Sequence, residues 1–193
     1  MLFRSMEQTQ DRFWNLLQPE HLKARAFCRK LAGGRDDGDD LYQDALVAAY
    51  ARLGDLRQEA AFRPWLYRIM VNTFKNRVRR THREVELTDA HLERAVGEDP
   101  SGLYAARRRL EAAFAVLDPT EQALVALTDL EGWPQAEAAE VFGFSTGAAK
   151  VRLHRARRKM RRVLQKSAQG VEKPATRRET EGDVCVADSL GDS

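Results

Sequence analysis

Between two segments of helical periodicity the chain reads Phe142-Gly143-Phe144-Ser145, and this short link restricts everything around it. Gly143 can take the left-handed conformation that terminates a helix, and Ser145 can cap the following helix through its hydroxyl. Upstream, Pro134 suits a first helical position, where its missing N–H costs nothing, so a short helix is expected over Pro134–Val141. Downstream, a helix advances about 100° per residue. Ala149, Leu153, Ala156, Met160 and Val163 then form one apolar stripe that must pack inward, while Gly147, Lys150, Val151, His154, Arg155, Arg158 and Arg161 face away. Two helices joined by so tight a turn make a helix-turn-helix. From Lys150 to Lys166 there are nine Lys and Arg and no Asp or Glu. A charge run alone describes a solvated face. Set opposite a packing stripe on the second helix of such a unit, it describes a surface for the DNA major groove, where Arg and Lys reach phosphates and the acceptor edge of guanine.

The rest of the chain reads as helix too. Phe13, Leu17, Ala24, Phe27 and Leu31 share a face over Gln8–Ala32, with a break or kink expected at Pro19 and an end at Gly33-Gly34. A helix from Asp37 to about Leu53 opens on aspartates that suit its positive dipole end. Asp36, Asp37, Asp39, Asp40 and Asp44 exceed what capping needs, which points to a basic partner. After a loop over Gly54–Arg63, a helix begins at Pro64 and reaches Thr81, with Trp65, Leu66, Ile69, Met70 and Thr73 inward and Arg68, Asn72, Lys75, Asn76 and Arg79 on polar flanks. Residues 84–102 carry six acidic residues and one Arg and close on Pro100-Ser101-Gly102, the composition of a flexible linker with one weak helical turn near His91–Val96. Beyond it lie a helix carrying Leu110, Phe114 and Leu117, a capping box at Asp118-Pro119-Thr120-Glu121, and Leu124, Val125, Leu127 and Leu130 to pack on the helix-turn-helix. The polar tail from Ser167 is expected to be disordered.

No convincing strand is found, so the fold class is all-α: two small helical domains over residues 1–83 and 103–166, a flexible acidic linker over 84–102, and a tail over 167–193. The net charge of +3 is mild because acids and bases are segregated, which suits distinct partners on distinct surfaces. Cys28 and Cys185 sit in unrelated contexts, so a reducing compartment is expected. The N-terminus lacks a signal-like apolar stretch, and the longest apolar run, Ala45–Ala51, is too short to span a bilayer; a cytoplasmic protein without membrane insertion is expected. There is no phosphate loop, nucleophile elbow or clustered metal-ligand set, and His21, His82, His91 and His154 are scattered, so neither catalysis nor a metal or cofactor is expected.

Two motifs in order carry a family resemblance. Asp40-Leu41-Tyr42-Gln43-Asp44-Ala45, followed by the Pro64–Asn76 segment PWLYRIMVNTFKN, resembles sigma region two. The stretch Leu117–Arg157 resembles sigma region four, and the acidic linker stands where region three is absent. The chain therefore resembles an extracytoplasmic-function (ECF) sigma factor of bacterial RNA polymerase over about residues 8–165. The resemblance implies that Asp40, Gln43 and Asp44 dock on the β′ clamp of core polymerase. It implies that Asn72, Lys75 and Asn76 act at the minus-ten promoter element, with the loop Leu56–Ala61 holding a flipped base. It implies that Lys150, Val151, His154 and Arg155 read the minus-thirty-five element, and that region four touches the β flap. An anti-sigma factor is a further implied partner. The alternative within the resemblance is a sigma mimic that titrates an anti-sigma factor; Asn72 and the basic recognition helix weigh against it. Relatives commonly carry Thr-Val-Lys-Ser where this chain has Ala148-Ala149-Lys150-Val151. Val151 thus offers an apolar surface, suited to a thymine methyl, in place of a hydroxyl.

Overall fold

The computed structural model describes residues 2–87 and 102–169, and every regular element among them is helical. In chain order these are α1 (Leu2–Leu17), α2 (His21–Ala32), α3 (Arg35–Ala51), α4 (Phe62–Leu87), α5 (Gly102–Ala115), α6 (Pro119–Val125), α7 (Gln135–Phe142) and α8 (Thr146–Gln169). Two short 3-10 turns, Leu53–Asp55 and Glu59–Ala61, connect α3 to α4, and a π turn, Ala126–Leu130, extends α6.

The chain punctuates itself largely where residue chemistry demands. The break expected at Pro19 separates α1 from α2. Gly33 ends α2 in the left-handed region, at φ 72°. Gly38 is needed for a different reason: a Cβ there would lie 2.3 Å from the Cα of Arg29, so α2 and α3 cross backbone to backbone. Asp118 caps α6 through the Thr120 and Glu121 amides while Glu121 returns a bond from the Asp118 amide, completing the expected capping box. Gly143 closes α7 at φ 69°, and Ser145 Oγ accepts from the Ala148 amide at 3.2 Å to open α8.

Several expectations shift. Pro134 is extended, at φ −55° and ψ 139°, and precedes α7 rather than starting it, because its carbonyl is what the Ala138 amide bonds. The helix expected from Pro64 begins at Phe62 and runs past Thr81 to Leu87. It thereby enters the segment expected as linker; residues 88–101, including the turn expected at His91–Val96, lie outside the described residues, as does the tail from 170. Leu130, expected in the core, is 45% exposed because the π turn widens the helix and carries it outward. Leu110 is also exposed, while Ala113 of α5 and Leu117 just beyond its end are buried.

α1 to α4 form an N-terminal bundle around Phe13, Leu17, Phe27, Leu41, Leu66, Tyr67 and Met70. α5 to α8 form a C-terminal bundle around Leu124, Leu127, Val141, Leu153 and Ala156. The two meet where α4 lies against α6 and α7 and where α2 touches the π turn, so one connected set of buried side chains runs through both.

Candidate nucleic-acid interface

The expected stripe of α8 is inside: Ala149, Leu153 and Ala156 are buried and Met160 is half-buried. Lys150, Val151, His154 and Arg155 are exposed on the opposite side, as are Arg158 and Arg161. Two flanking cations hold the helix in place. Arg157 grips Asp129 with Nη2–Oδ1 at 2.6 Å and Nε–Oδ2 at 3.0 Å, and Lys159 reaches both Glu121 oxygens at 2.7 Å. The Arg157 hydrogen bond holds the Asp129 carboxyl below its ordinary range and raises the guanidinium in turn. Arg152 lies over the Phe144 ring at 4.6 Å. Lys150, His154 and Arg155 have no ion-pair partner among the described residues. The sequence shows a uniform basic helix; the structure sorts it into anchoring and outward cations.

On α4, Asn72, Lys75 and Asn76 are all exposed, and Asn76 Oδ1 accepts from Arg79 Nη2 at 2.7 Å. One turn before Asn72 stands Arg68, at the edge of a cavity of about 390 Å³. Leu56, Arg57, Gln58 and Ala61 of the expected base-holding loop line this cavity with Pro64 and Trp65. Asn72 is not part of its lining. Glu140 of α7, from the other bundle, also lines it. Arg68 donates through Nε to the Val141 carbonyl at 3.1 Å and through Nη2 to the Glu140 carbonyl. Sequence reading left Arg68 as one flank residue among several, because nothing local shows that a helix end will arrive there from 72 residues away.

On α3, Asp40, Gln43 and Asp44 are exposed together within one turn. The aspartate run is less available than it reads. Asp39 turns inward and takes bidentate bonds from both Arg25 (2.9 and 2.7 Å) and Arg29 (2.7 and 2.8 Å). These two bonds, Arg29's first, hold the Asp39 carboxyl far below the ordinary range. Asp44 Oδ2 accepts from Arg77 Nε at 3.0 Å and Nη2 at 2.5 Å. Asp40 and Gln43 are the docking candidates without such a hold among the described residues. Cys28 is buried in the core between these helices, and burial pushes its thiol up to about 12. Among the described residues no group of His, Cys, Asp and Glu is arranged to hold a metal ion, and no helix is long and apolar enough to cross a membrane.

Known proteins match this layout in both halves. A family model for Sigma-70 region 2 matches residues 16–84, and one for Sigma-70, region 4 matches residues 107–160. The ECF RNA polymerase sigma factor EcfG of Rhodopseudomonas palustris (strain TIE-1) is 33% identical over 144 residues, 72% of this chain and 78% of that protein. The chain belongs to the ECF RNA polymerase sigma factors. A second member, the RNA polymerase sigma factor NccH of Alcaligenes xylosoxydans xylosoxydans, is 32% identical over 175 residues, covering 85% of this chain and 92% of that one. Among solved structures, the sigma factor RpoE in complex with the anti-sigma factor NepR from Bartonella quintana superposes with a TM-score of 0.62 at 26% identity, over 79% of this chain and 98% of that one. ECF sigma factors are transcription regulators rather than catalytic enzymes. In this sigma factor the α7–α8 helix-turn-helix lies in the region 4 match and the α3 and α4 motifs in the region 2 match.

Proposed function

We propose that this chain binds core RNA polymerase and directs promoter-specific initiation, reading the minus-thirty-five element through α8 and helping to open the minus-ten element through α4 and the loop before it. The observation that carries the reading is the division within α8. Arg157 and Lys159 are tied to acidic partners, whereas Lys150, Val151, His154 and Arg155 are left together on the outward face. A helix held from behind by ion pairs and presenting unpaired donors ahead is built to enter a major groove. Asn72 and Lys75 lie on the other bundle, close along α4 to a cavity partly lined by the loop Leu56–Ala61. A cavity of about 390 Å³ is large enough for an unstacked base. Asp40, Gln43 and Asp44 supply an exposed polar and acidic surface for a basic site on the polymerase clamp, and region 4 would contact the β flap. An anti-sigma factor is a natural further partner, since the similar RpoE was solved with one.

The test separates the two DNA contacts. With core polymerase on one responsive promoter, Arg155→Ala is expected to weaken closed-complex formation and relax upstream sequence preference. Asn72→Ala is expected to leave upstream binding intact and reduce strand opening, read by permanganate reactivity. Loss of upstream binding with normal melting in Asn72→Ala would overturn the division of labour.

A further inference from the structure

The loop Leu56–Ala61 is a partition with a cavity on either side. Leu56, Arg57, Gln58 and Ala61 line the cavity of about 390 Å³ already described, beside Trp65 and Arg68. Glu59 turns the other way. It lines a second, open space of about 540 Å³ together with Gln8, Asp11, Arg12, Asn15 and Leu16 of α1. Those α1 residues recur at helical spacings of three and four, so they share one face. The chain enters and leaves the loop through buried apolar anchors, Leu53 and Leu56 on one side and Phe62 on the other. Between them residues 57–61 are exposed. Their backbone closes one short turn, with the Ala61 amide donating to the Gln58 carbonyl at 3.1 Å. Among the described residues the one side-chain hydrogen bond made to them comes from Arg12, whose Nε donates to Glu59 Oε1 at 2.9 Å. That bond spans a space which apolar packing leaves open. The neighbour of Arg12 sets its reach. Phe13 is 2% exposed and meets Tyr50 of α3 edge-on at 5.5 Å and Phe62 of α4 at 6.2 Å. One ring is thus packed on both helices between which the loop is slung, and a step of about 100° around α1 carries Arg12 to Glu59.

On the promoter reading above, we propose that Arg12 is a positioning residue for base capture: from α1 it holds Glu59, and through Glu59 the wall of the cavity that takes the unstacked base. Arg12 lies ahead of the region 2 match, which begins at residue 16. An exposed ion pair adds little to global stability, because water competes for both charges. Its effect here is on placement. A loop so exposed has many conformations, and a cavity whose wall is elsewhere for part of the time captures a base less well by that fraction. The pair also neutralises a carboxylate that would otherwise repel the phosphates arriving with the base. Arg12 itself lines the other space, so it acts on the base through the loop and not by contact.

The test uses the full chain with core polymerase, on a promoter selected by wild-type holoenzyme from a random-sequence library. Arg12→Ala is expected to reduce strand opening, read by permanganate, about threefold, the scale of one exposed ion pair. Preference at one position of the opened strand should flatten, while upstream duplex binding and the thermal midpoint of the free chain stay as in wild type. Glu59→Gln gives the sharper reading. Removing a carboxylate beside DNA ordinarily strengthens binding, whereas loss of a tether weakens opening, and the loss is expected. Exchanging the pair, Arg12→Glu with Glu59→Arg, should restore the opening that Arg12→Glu alone loses. Opening unchanged or improved in Glu59→Gln overturns the proposal, as does an exchanged chain no better than Arg12→Glu. A fall in upstream binding equal to the fall in opening means a general defect and also overturns it. If wild-type holoenzyme selects no promoter, the promoter reading fails and takes the inference with it. A selected promoter opened equally by wild type and Arg12→Ala refutes the tether alone.

Discussion

The aspartate run of α3 and the arginine run of α8 look like mirror images in sequence, and the fold uses them in opposite ways. In α3, the half-buried Asp39 is held by two arginines from α2 and Asp44 by Arg77 of α4, so much of the run builds the N-terminal bundle. In α8, Arg157 and Lys159 are tied to acidic partners and Arg152 lies over the Phe144 ring, while Lys150, His154 and Arg155 remain without acidic partners among the described residues. A run of one sign is therefore not one feature. Its helical phase decides which charges assemble the protein and which meet something else.

The largest expected effect tests how tightly the acidic side is built. Gly38→Ala drives a Cβ into the Arg29 backbone and should destabilise the N-terminal bundle by about 3 kcal/mol. Gly147→Ala on α8 meets nothing within 4 Å and should gain about 0.5–1 kcal/mol. Urea midpoints would compare them; equal tolerance would mean that α2 and α3 are not in backbone contact.

Within α8 the contrast is between neighbours. Arg155→Ala should lose about 1–3 kcal/mol of discrimination at one base position while thermal stability is kept. Arg157→Ala should do the reverse, lowering the melting temperature of the C-terminal bundle with sequence preference intact, because its partner is Asp129 rather than DNA. Loss of specificity in both would show that anchoring and reading are not separable.

A smaller effect distinguishes the aspartates by pH. The Arg29 and Arg25 bonds depress Asp39, so its contribution to stability is whole above the unfolded-state value of about 3.9 and is lost as pH falls through the lower folded-state value. Asp39→Asn should lower the denaturation midpoint at neutral pH and flatten its decline in acid. Asp40→Asn should leave the neutral-pH midpoint unchanged and instead weaken binding to core polymerase. The smallest effect is a null one: Cys28, buried and with its thiol pushed up to about 12, should resist alkylation in the native chain and react only on unfolding.

What was legible in the sequence was local. The turn at Gly143, the capping box at Asp118 and the outward face of α8 follow from residue chemistry within one or two turns, and each stands as read. What was not legible depends on distant partners. Asp39 differs from Asp40 only by 100° of helical phase relative to Arg25 and Arg29 on another helix. Arg68 on the carbonyls of Glu140 and Val141, and Trp133 against the Tyr67 ring, acquire their contacts from chain segments that local periodicity does not connect. Leu130 misled because a regular 3.6-residue period was assumed where the helix departs from it.

That departure has a consequence of its own. In the turn Ala126–Leu130 the Glu131 amide bonds back to Ala126, and the Trp133 amide to Leu127, each at 3.0 Å, with Gly132 left-handed after them. A π turn is a helix carrying one residue too many. The wide turn absorbs that residue, so the chain leaves the helix in a direction that an unbroken 3.6-residue wind over the same sequence would not give. The seat of Trp133, with its ring 4.6 Å from that of Tyr67 and the Arg63 guanidinium over it at 3.9 Å, thus depends on how this one turn is wound.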